Sequence, residues 1–285
     1  MAIEEFFDQN RISVKNLSHD KVTPKSESPF NPKKELNEKD FESFLDIVKV
    51  YENRISDTGF WKYFIRLVND VKTLFPGKFS EANVESETWE ILKREARACR
   101  LQFRWHDLAE LAAGIKSLSP SRYQELNIDK NDLEKIKREF EEYRSANNPD
   151  YSIHIAKNLK IISPDSFSDL NINEDDLAAT KKELEGRKQE GRWKDFAYLA
   201  ANAKVVFDDK FPNSLIEGKE WRLLRSEMKE LRDMKYRGEI IYLAAATAVL
   251  SAESIEIAED GIKISGRRNG DHFLQEDSLP ETRKF

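Results

Sequence analysis

Two stretches of the chain are near copies of each other: ELNIDKNDLEKIKREF at residues 125–140 and DLNINEDDLAATKKEL at residues 169–184. The second begins 44 positions after the first, and the alignment needs no gap. Each stretch contains the start of a helix. Asp129 and Asn173 occupy the N-cap position, where a short polar side chain accepts a hydrogen bond from the first helical turn, and an aspartate follows three positions later. The chain therefore specifies the same helix start twice.

The 44-residue period extends along most of the chain. Columns of identical or similar residues keep the same step, as in Lys72, Lys116, Lys160 and Lys204, in Trp61, Trp105 and Trp193, and in Glu95, Glu139, Glu183 and Glu227. Within each unit, apolar residues at helical spacing predict two helices separated by a short polar break. The second helix is rich in small residues, as in AELAAG and YLAANAK, which predicts that it packs on the inner layer.

These units predict an all-α fold, an α-solenoid of five antiparallel helix pairs. Since neighbouring helices pack about 8–10 Å apart, five pairs should form a curved rod on the order of 45–50 Å long. Residues 39–252 are the predicted repeat domain, and residues 253–266 are a predicted β-hairpin that folds onto the last pair as a cap. Residues 1–38 and 267–285 are polar and aperiodic, and are predicted to be disordered.

The repeat unit reads approximately K-x-h-h-[FS]-P-x-x-[FY]-x-x-L-N-[IV], then [WL]-x-x-h-K-x-E, where h is an apolar residue. In length and helix count it resembles HEAT and armadillo repeats, and it is similar to repeats of uncharacterised bacterial proteins. The resemblance covers roughly three quarters of the chain. The intrahelical proline and the Asp/Arg positions of HEAT units are absent. The resemblance implies an α-solenoid and carries no activity, cofactor or site residues with it.

Composition restricts the class of protein. The 285 residues are 35% charged with a net charge of −6, which does not favour a chain that coats nucleic acid. The single cysteine, Cys99, argues against a disulfide framework and favours a reducing compartment. The N-terminus lacks a basic and apolar leader, so we expect a cytoplasmic protein. The longest apolar run, IIYLAAATAVL, is too short to span a bilayer, and no membrane partner is expected.

No catalytic, cofactor or metal site is predicted, and the chain is therefore predicted not to be an enzyme. The chain contains neither a P-loop nor a dinucleotide-binding fingerprint. The four histidines do not stand at metal-ligand spacing from one another or from Cys99. Glu110 follows His106 by four residues, and we interpret that pair as a solvated helix face. Cys99 extends an apolar stripe, which indicates a buried structural cysteine.

Residues that recur every 44 positions occupy equivalent places in successive units, so exposed ones should form a row along the surface. Two basic rows are predicted: one of Lys93, Lys137, Lys181 and Arg225, the other of Arg100, Arg144, Lys188 and Arg232. Such rows attract acidic peptides or phosphates. The alternative is that the neighbouring column of Glu95 neutralises them. We predict a non-catalytic scaffold that binds a protein or peptide, acidic in character, along the repeat surface. Binding of nucleic acid through the rows is the alternative function.

The lysine column that contains Lys72 and Lys204 falls in the last turn of the second helix of each unit. A cation at that position interacts favourably with the helix dipole, by about 0.3–1 kcal/mol. We therefore interpret this column as a structural feature of the helix ends.

Overall fold

A computed structural model describes residues 38–265, except residues 58, 76–77, 212–215, 235, 253 and 259–260. The side chains of residues 38, 81, 232, 233, 237, 254–258 and 261–265 are outside this description as well. The predictions of disorder for the two termini therefore fall outside the described residues, apart from Glu38, which begins the first helix.

The described residues form twelve α-helices, which confirms the all-α prediction. In chain order these are α1 (Glu38–Glu52), α2 (Phe60–Leu74), α3 (Ser86–Leu101), α4 (Trp105–Leu118), α5 (Pro120–Glu125), α6 (Lys130–Ser145), α7 (Pro149–Ile162), α8 (Pro164–Ser168), α9 (Glu174–Gln189), α10 (Trp193–Phe207), α11 (Gly218–Asp233) and α12 (Arg237–Ser251). Single 3₁₀ turns at Glu81–Asn83 and Asp208–Lys210 lie in two of the linkers. The short helices α5 and α8 lie in two others, so the five pairs are α1–α2, α3–α4, α6–α7, α9–α10 and α11–α12.

The predicted helix starts are present. The Asp129 carboxylate accepts a hydrogen bond from the Asp132 backbone N–H at 2.8 Å, and the Asp132 carboxylate accepts one from the Asp129 N–H at 3.4 Å. Asn173 and Asp176 make the same reciprocal pair at the start of α9. Each cap stabilises its helix by about 1 kcal/mol. The repeated capping box therefore gives α6 and α9 the same starting point within their units.

The second helix of each pair forms the inner layer, as the small residues predicted. Every residue from Leu108 to Ile115 in α4 is buried, and so is every residue from Leu199 to Phe207 in α10. The first helices are buried along one stripe only; in α6 this stripe includes Ile136 and Phe140. The core therefore lies between an inner ring of helices and an outer one.

The two ends of the array meet. Each inner helix packs against the inner helix of the next pair, and the last, α12, packs against the first, α2. Helix α12 also contacts α1, as α4 contacts the following outer helix α6. The five pairs therefore form a closed ring, and the expectation of a curved rod is wrong. The physical reason is that alanine and glycine let the inner helices approach closely while larger side chains hold the outer helices apart, so each pair is wedge-shaped.

The lysine column ties each inner helix to the next one. The Nζ atoms donate to backbone carbonyls near the end of the following inner helix: Lys72 to Ser117, Lys116 to Ile162 at 3.2 Å, Lys160 to Val205 at 2.7 Å and Lys204 to Leu250 at 2.9 Å. The inner helices are therefore parallel and in register. The prediction of a cation at a helix end is confirmed, but the carbonyls belong to the neighbouring helix. The fifth member of the column is Ala248, so the junction of α12 with α2 has no such lysine.

Two strands follow the last helix. β1 (Ser254–Ala258) pairs antiparallel with β2 (Gly261–Ser265), and Ser254 lies opposite Ser265. The backbone of β2 lies against α4 and α2, and that of β1 lies against α7. We expected this segment to rest on the last pair. It reaches the first three inner helices because ring closure brings them to the same end of the molecule.

The close approach of the inner helices can be tested at Gly114. A methyl group there would overlap the Ile65 side chain of α2, whereas at Gly186 on α9 it would meet nothing within 4 Å. We expect Gly114→Ala to lower the free energy of unfolding by about 1–3 kcal/mol, as overpacked substitutions do. We expect Gly186→Ala to raise it by about 0.5–1 kcal/mol. Urea denaturation measures both, and effects of the same sign would contradict close packing of α2 on α4.

The lysine ties can be tested at Lys204, whose side chain is buried and donates to the carbonyls of Leu250 and Ala252. Lys204→Met leaves buried acceptors without this donor, so we expect a loss of about 1–3 kcal/mol in the free energy of unfolding. Lys182→Met, at an exposed position of α9, is the control and should change it by less than about 0.5 kcal/mol. Equal effects of the two variants would show that the tie contributes nothing.

Candidate functional site

The two basic rows lie between neighbouring helix pairs. Five of their side chains contact an acidic residue 32 positions later: Lys93 with Glu125 at 2.9 Å, Lys137 with Asp169 at 3.1 Å, Arg100 with Asp132 at 2.8 Å, Arg144 with Asp176 at 2.7 Å and Lys188 with Glu220 at 3.7 Å. Lys181 is half-buried, Arg225 is exposed, and the side chain of Arg232 lies outside the described residues. The acids in these pairs are not those of the Glu95 column. The rows thus link successive pairs of the ring.

A different column lines the lumen, the space that the inner helices enclose. One polar side chain from each inner helix belongs to it, at the same 44-residue step: Arg66, Glu110, His154, Tyr198 and Tyr242. We call these five residues the lumen belt. Sequence reasoning missed the belt because its members differ in chemistry from unit to unit. The signal that could have found it is a large polar residue that recurs on a helix otherwise rich in alanine.

Neighbouring members of the belt contact each other. The Arg66 guanidinium donates to both Glu110 carboxylate oxygens, one of them at 3.0 Å. His154 Nε2 lies 3.7 Å from Glu110 Oε2, and His154 Nδ1 lies 2.8 Å from the Tyr198 hydroxyl. The Tyr198 and Tyr242 rings stack with centroids 4.8 Å apart. The belt therefore runs from α2 through α4, α7 and α10 to α12.

The charge states of the belt follow from these contacts. Burial alone would raise the pKa of Glu110, but Arg66 and His154 hold it well below its usual value, so the carboxylate is ionised. Burial lowers the pKa of His154 more than Glu110 raises it, which favours the neutral imidazole. Burial also raises the pKa of Tyr198, which keeps the phenol protonated. At neutral pH the belt therefore carries one ion pair and three neutral groups.

This arrangement corrects one expectation. We interpreted Glu110 as a solvated partner of His106, but Glu110 is buried inside the ring. His106 instead contacts Glu139 at 2.6 Å and Asp107 at 2.9 Å. Burial lowers the pKa of His106, but these two carboxylates outweigh that effect and raise the pKa to about 9. The earlier interpretation failed because helix spacing alone does not show which face of α4 points into the lumen.

A cavity of about 140 Å³ lies next to the belt. One turn further along the inner helices, α2 contributes Asp70, α7 contributes Lys157 and Asn158, and α10 contributes Asn202. The other lining positions at this level are Asn69, whose amide donates to the Ile65 carbonyl at 2.7 Å, and five small residues: Ala113, Gly114, Ala201, Ala245 and Ala246. At roughly 30 Å³ for each water molecule, the space that the small residues leave has room for on the order of five waters. That space is suited to a compact small molecule rather than to a polymer.

Asp70 and Lys157 carry opposite charges into this cavity. Among the described residues, neither side chain has a hydrogen-bonded or ion-paired partner within 4.0 Å. Burial raises the pKa of Asp70, and Lys157 and Arg66 oppose that shift. Burial lowers the pKa of Lys157, and Asp70 and Glu110 oppose it. Each group therefore influences the other across the lumen without direct contact, and burial disfavours the charge of both.

Three buried polar atoms of the lumen lack a hydrogen-bond partner among the described residues. They are the Nδ2 atoms of Asn158 and Asn202 and Nε2 of His154. Asn158 and Asn202 are 3% and 4% exposed. A buried donor without an acceptor costs about 1–3 kcal/mol, so two such amides in one cavity are matched to a molecule that supplies acceptors.

In the part of the chain that the structure describes, neither a metal site nor a reactive cysteine is found. No group of three or more His, Cys, Asp or Glu side chains there is arranged to hold a metal ion. Cys99 is fully buried, as predicted, and burial raises the pKa of its thiol to about 12. Such a thiol is a poor nucleophile at neutral pH. Within the same residues, every helix is too short or too polar to cross a bilayer.

Comparison with known proteins found no match: no protein-family model, no curated protein and no solved structure is significantly similar to this chain. The resemblance to HEAT and armadillo repeats is neither supported nor contradicted by these comparisons. A function must therefore be inferred from the lumen and the surface of the ring.

The raised pKa of Asp70 predicts a pH dependence. A carboxyl whose pKa is higher in the folded protein than in the unfolded chain, where it is about 3.9, stabilises the fold at low pH. That contribution is lost as the pH rises through the folded pKa. Asp70→Asn has no such loss, so we expect its free energy of unfolding to rise relative to the unsubstituted protein between pH 4 and pH 8.

Urea denaturation at several pH values between these limits measures the difference. The groups that face Asp70 from the other inner helices (Glu110, Lys157, Tyr198 and Tyr242) are unchanged in the variant. Asp165→Asn, on the exposed surface of α8, is the control. If Asp70→Asn changed stability by the same amount at every pH, Asp70 would not have a raised pKa.

Proposed function

We propose that this protein binds a small polar solute in the lumen of the ring and releases it unchanged. The observation that carries the proposal is the convergence of Asp70, Lys157 and the unpartnered amides of Asn158 and Asn202 on one cavity. Non-catalytic binding was the prediction from the sequence. The kind of partner changes because ring closure turns the concave face of the array into an enclosed lumen, and a cavity of about 140 Å³ is too small for an extended peptide.

The hairpin of β1 and β2 supports enclosure of the solute. It follows α12 directly, and its backbone lies against α2, α4 and α7. The inner helices are parallel, so their C-terminal ends lie on the same side of the ring. The hairpin crosses that side. In this proposal the hairpin closes that end of the lumen, and the solute enters where the inner helices begin.

The acids and bases of the lumen would also suit an enzyme, so binding and catalysis must be distinguished. Two side chains of the lumen that catalysis could use, Glu110 and Thr73, are already engaged by their neighbours. Glu110 is held by Arg66 in a two-point ion pair, which makes it a weak base. The Thr73 hydroxyl donates to the Asn69 carbonyl at 2.9 Å rather than to a base. Side chains that neutralise one another are suited to holding a solute in place.

Binding of a protein or peptide on the outside of the ring is the second candidate function. The observation that favours it is an apolar patch between α3 and α4, where Leu101 is 79% exposed and Phe103 is 73% exposed. Large apolar side chains that stand together in water commonly mark interaction surfaces. Nucleic-acid binding is less favoured, because most of the basic rows are paired with carboxylates.

A variant that fills the lumen tests the proposal. Ala201 lies on the cavity wall, and Ala201→Leu would occupy the space of the solute. Ala178→Leu, at an exposed position of α9, is the matched control. The probes are small carboxylates, primary amines, amino acids, polyols and inorganic phosphate, each tested by thermal denaturation. A ligand at 100 times its Kd stabilises a protein by about 2.7 kcal/mol, which is readily detected.

We expect at least one class of probe to raise the midpoint of the unsubstituted protein and of Ala178→Leu but not of Ala201→Leu. NMR of the solute after incubation should show it unchanged. If no class of probe raised any midpoint, lumen binding would be contradicted, and conversion of the solute would contradict its non-catalytic character. Should Ala201→Leu fail to fold, Ala245→Leu fills the same cavity from α12.

A further inference from the structure

We propose that the solute is a small zwitterion with an ammonium group and a carboxylate on a short aliphatic skeleton, as in amino acids. This inference rests on the proposed binding in the lumen and adds the chemical class of the solute. It is carried by the placement of Asp70 and Lys157 on opposite sides of the cavity and by the two unpartnered amides.

The charges of the lumen sum to zero. Arg66 and Glu110 form one ion pair, and Asp70 and Lys157 add one acid and one base, which carry no net charge whether both are neutral or both are ionised. A solute with a net charge would therefore leave one charge uncompensated in a buried site, which is unfavourable. A zwitterion adds no net charge. It also supplies each of the two unpaired groups with an opposite charge.

The positions of the two groups give the solute an orientation. Helices α2 and α7 are not neighbours in the ring, because α4 lies between them. At the level of Asp70 and Lys157, α4 contributes only Ala113 and Gly114 to the cavity wall. No side chain of α4 therefore stands between the two charges at this level. The ammonium group would lie at Asp70, and the carboxylate would lie at Lys157.

The amides complete the carboxylate subsite. Asn158 follows Lys157 on α7, and Asn202 projects from the adjacent helix α10. Both Nδ2 atoms are buried donors without an acceptor among the described residues. A carboxylate has about four acceptor positions, so it can accept from the Lys157 ammonium and from both amides. An amine or a polyol does not supply these acceptors together with a negative charge.

The rest of the wall restricts the skeleton of the solute. Toward the ends of the inner helices the lining is mixed, with apolar Ile161, Val205 and Val249 and polar Thr73 and Ser117. On the other side lie the stacked rings of Tyr198 and Tyr242, whose faces favour a cation. A cavity of about 140 Å³ is close in volume to one that holds benzene, so it corresponds to a molecule of about six non-hydrogen atoms. The skeleton is therefore short, with a small side chain.

Isothermal titration calorimetry with matched probes tests this inference. Alanine is compared with propionate, which lacks the ammonium group, and with ethylamine, which lacks the carboxylate. Glycine, valine, β-alanine and 4-aminobutyrate vary the size of the solute and the spacing between its charged groups. We expect at least one zwitterion to bind ten-fold or more tightly than probes that lack either group, because each missing group leaves Asp70 or Lys157 without an opposite charge.

Variants assign the two ends of the solute. Asp70→Asn should weaken binding of the zwitterion ten-fold or more and leave binding of propionate unchanged or tighter. Lys157→Met should weaken both zwitterion and propionate. Asp165→Asn and Lys182→Met, at exposed positions of α8 and α9, are the controls and should leave binding unchanged. Both lumen substitutions are close in shape to the native residues, and circular dichroism checks that the variants fold.

The outcomes separate this inference from the proposed function. If a singly charged or neutral probe bound more tightly than every zwitterion, and Ala201→Leu abolished that binding, the lumen would bind a solute but the zwitterion inference would be overturned. If no probe of any class bound, both would fail. The titrations of the unsubstituted protein decide between these results even if a variant does not fold.

Discussion

The packing of α12 against α2 is the contact on which the rest of the structure depends. It joins the last helix pair to the first and so converts a row of repeats into a ring. Without it, Asp70 and Lys157 would face an open groove, where water would solvate their charges. With it, both groups lie inside a cavity where burial shifts the pKa of each toward the neutral form. The chemistry of the lumen is therefore a consequence of closure.

Repetition supplies the interactions that hold the ring in register. A lysine such as Lys160 donates to the end of the next inner helix, and an arginine such as Arg144 pairs with a carboxylate of the next unit. Each of these contacts joins units that are adjacent in sequence, so the same contact recurs from one unit to the next. The junction of α12 with α2 is different, because its lysine position is occupied by Ala248. Packing of small residues, rather than the lysine tie, must hold this junction.

The period predicted the helix pairs, the caps at Asp129 and Asn173 and the inner position of the second helix, because these depend on local spacing. Ring closure could not be predicted, because it depends on the small angle between successive helix pairs, which accumulates over five pairs. The site was missed for a related reason. The basic rows are conspicuous in sequence, but their partners lie 32 residues away. The lumen belt is hidden because Glu110 and His154 share a position and not a residue type.

Distances between outer helices test ring closure most directly. Asp46, Glu90, Glu134 and Arg222 are exposed, occupy one 44-residue column and lie on α1, α3, α6 and α11. Spin labels on cysteines at these positions allow pulsed electron resonance to measure pairs, and the buried Cys99 is protected from labelling. A closed ring predicts that the distance from position 46 to position 222 resembles that from 46 to 90 and is shorter than that from 46 to 134. A distance from 46 to 222 of about 40 Å, four helix spacings, would indicate an open rod and contradict the enclosed lumen.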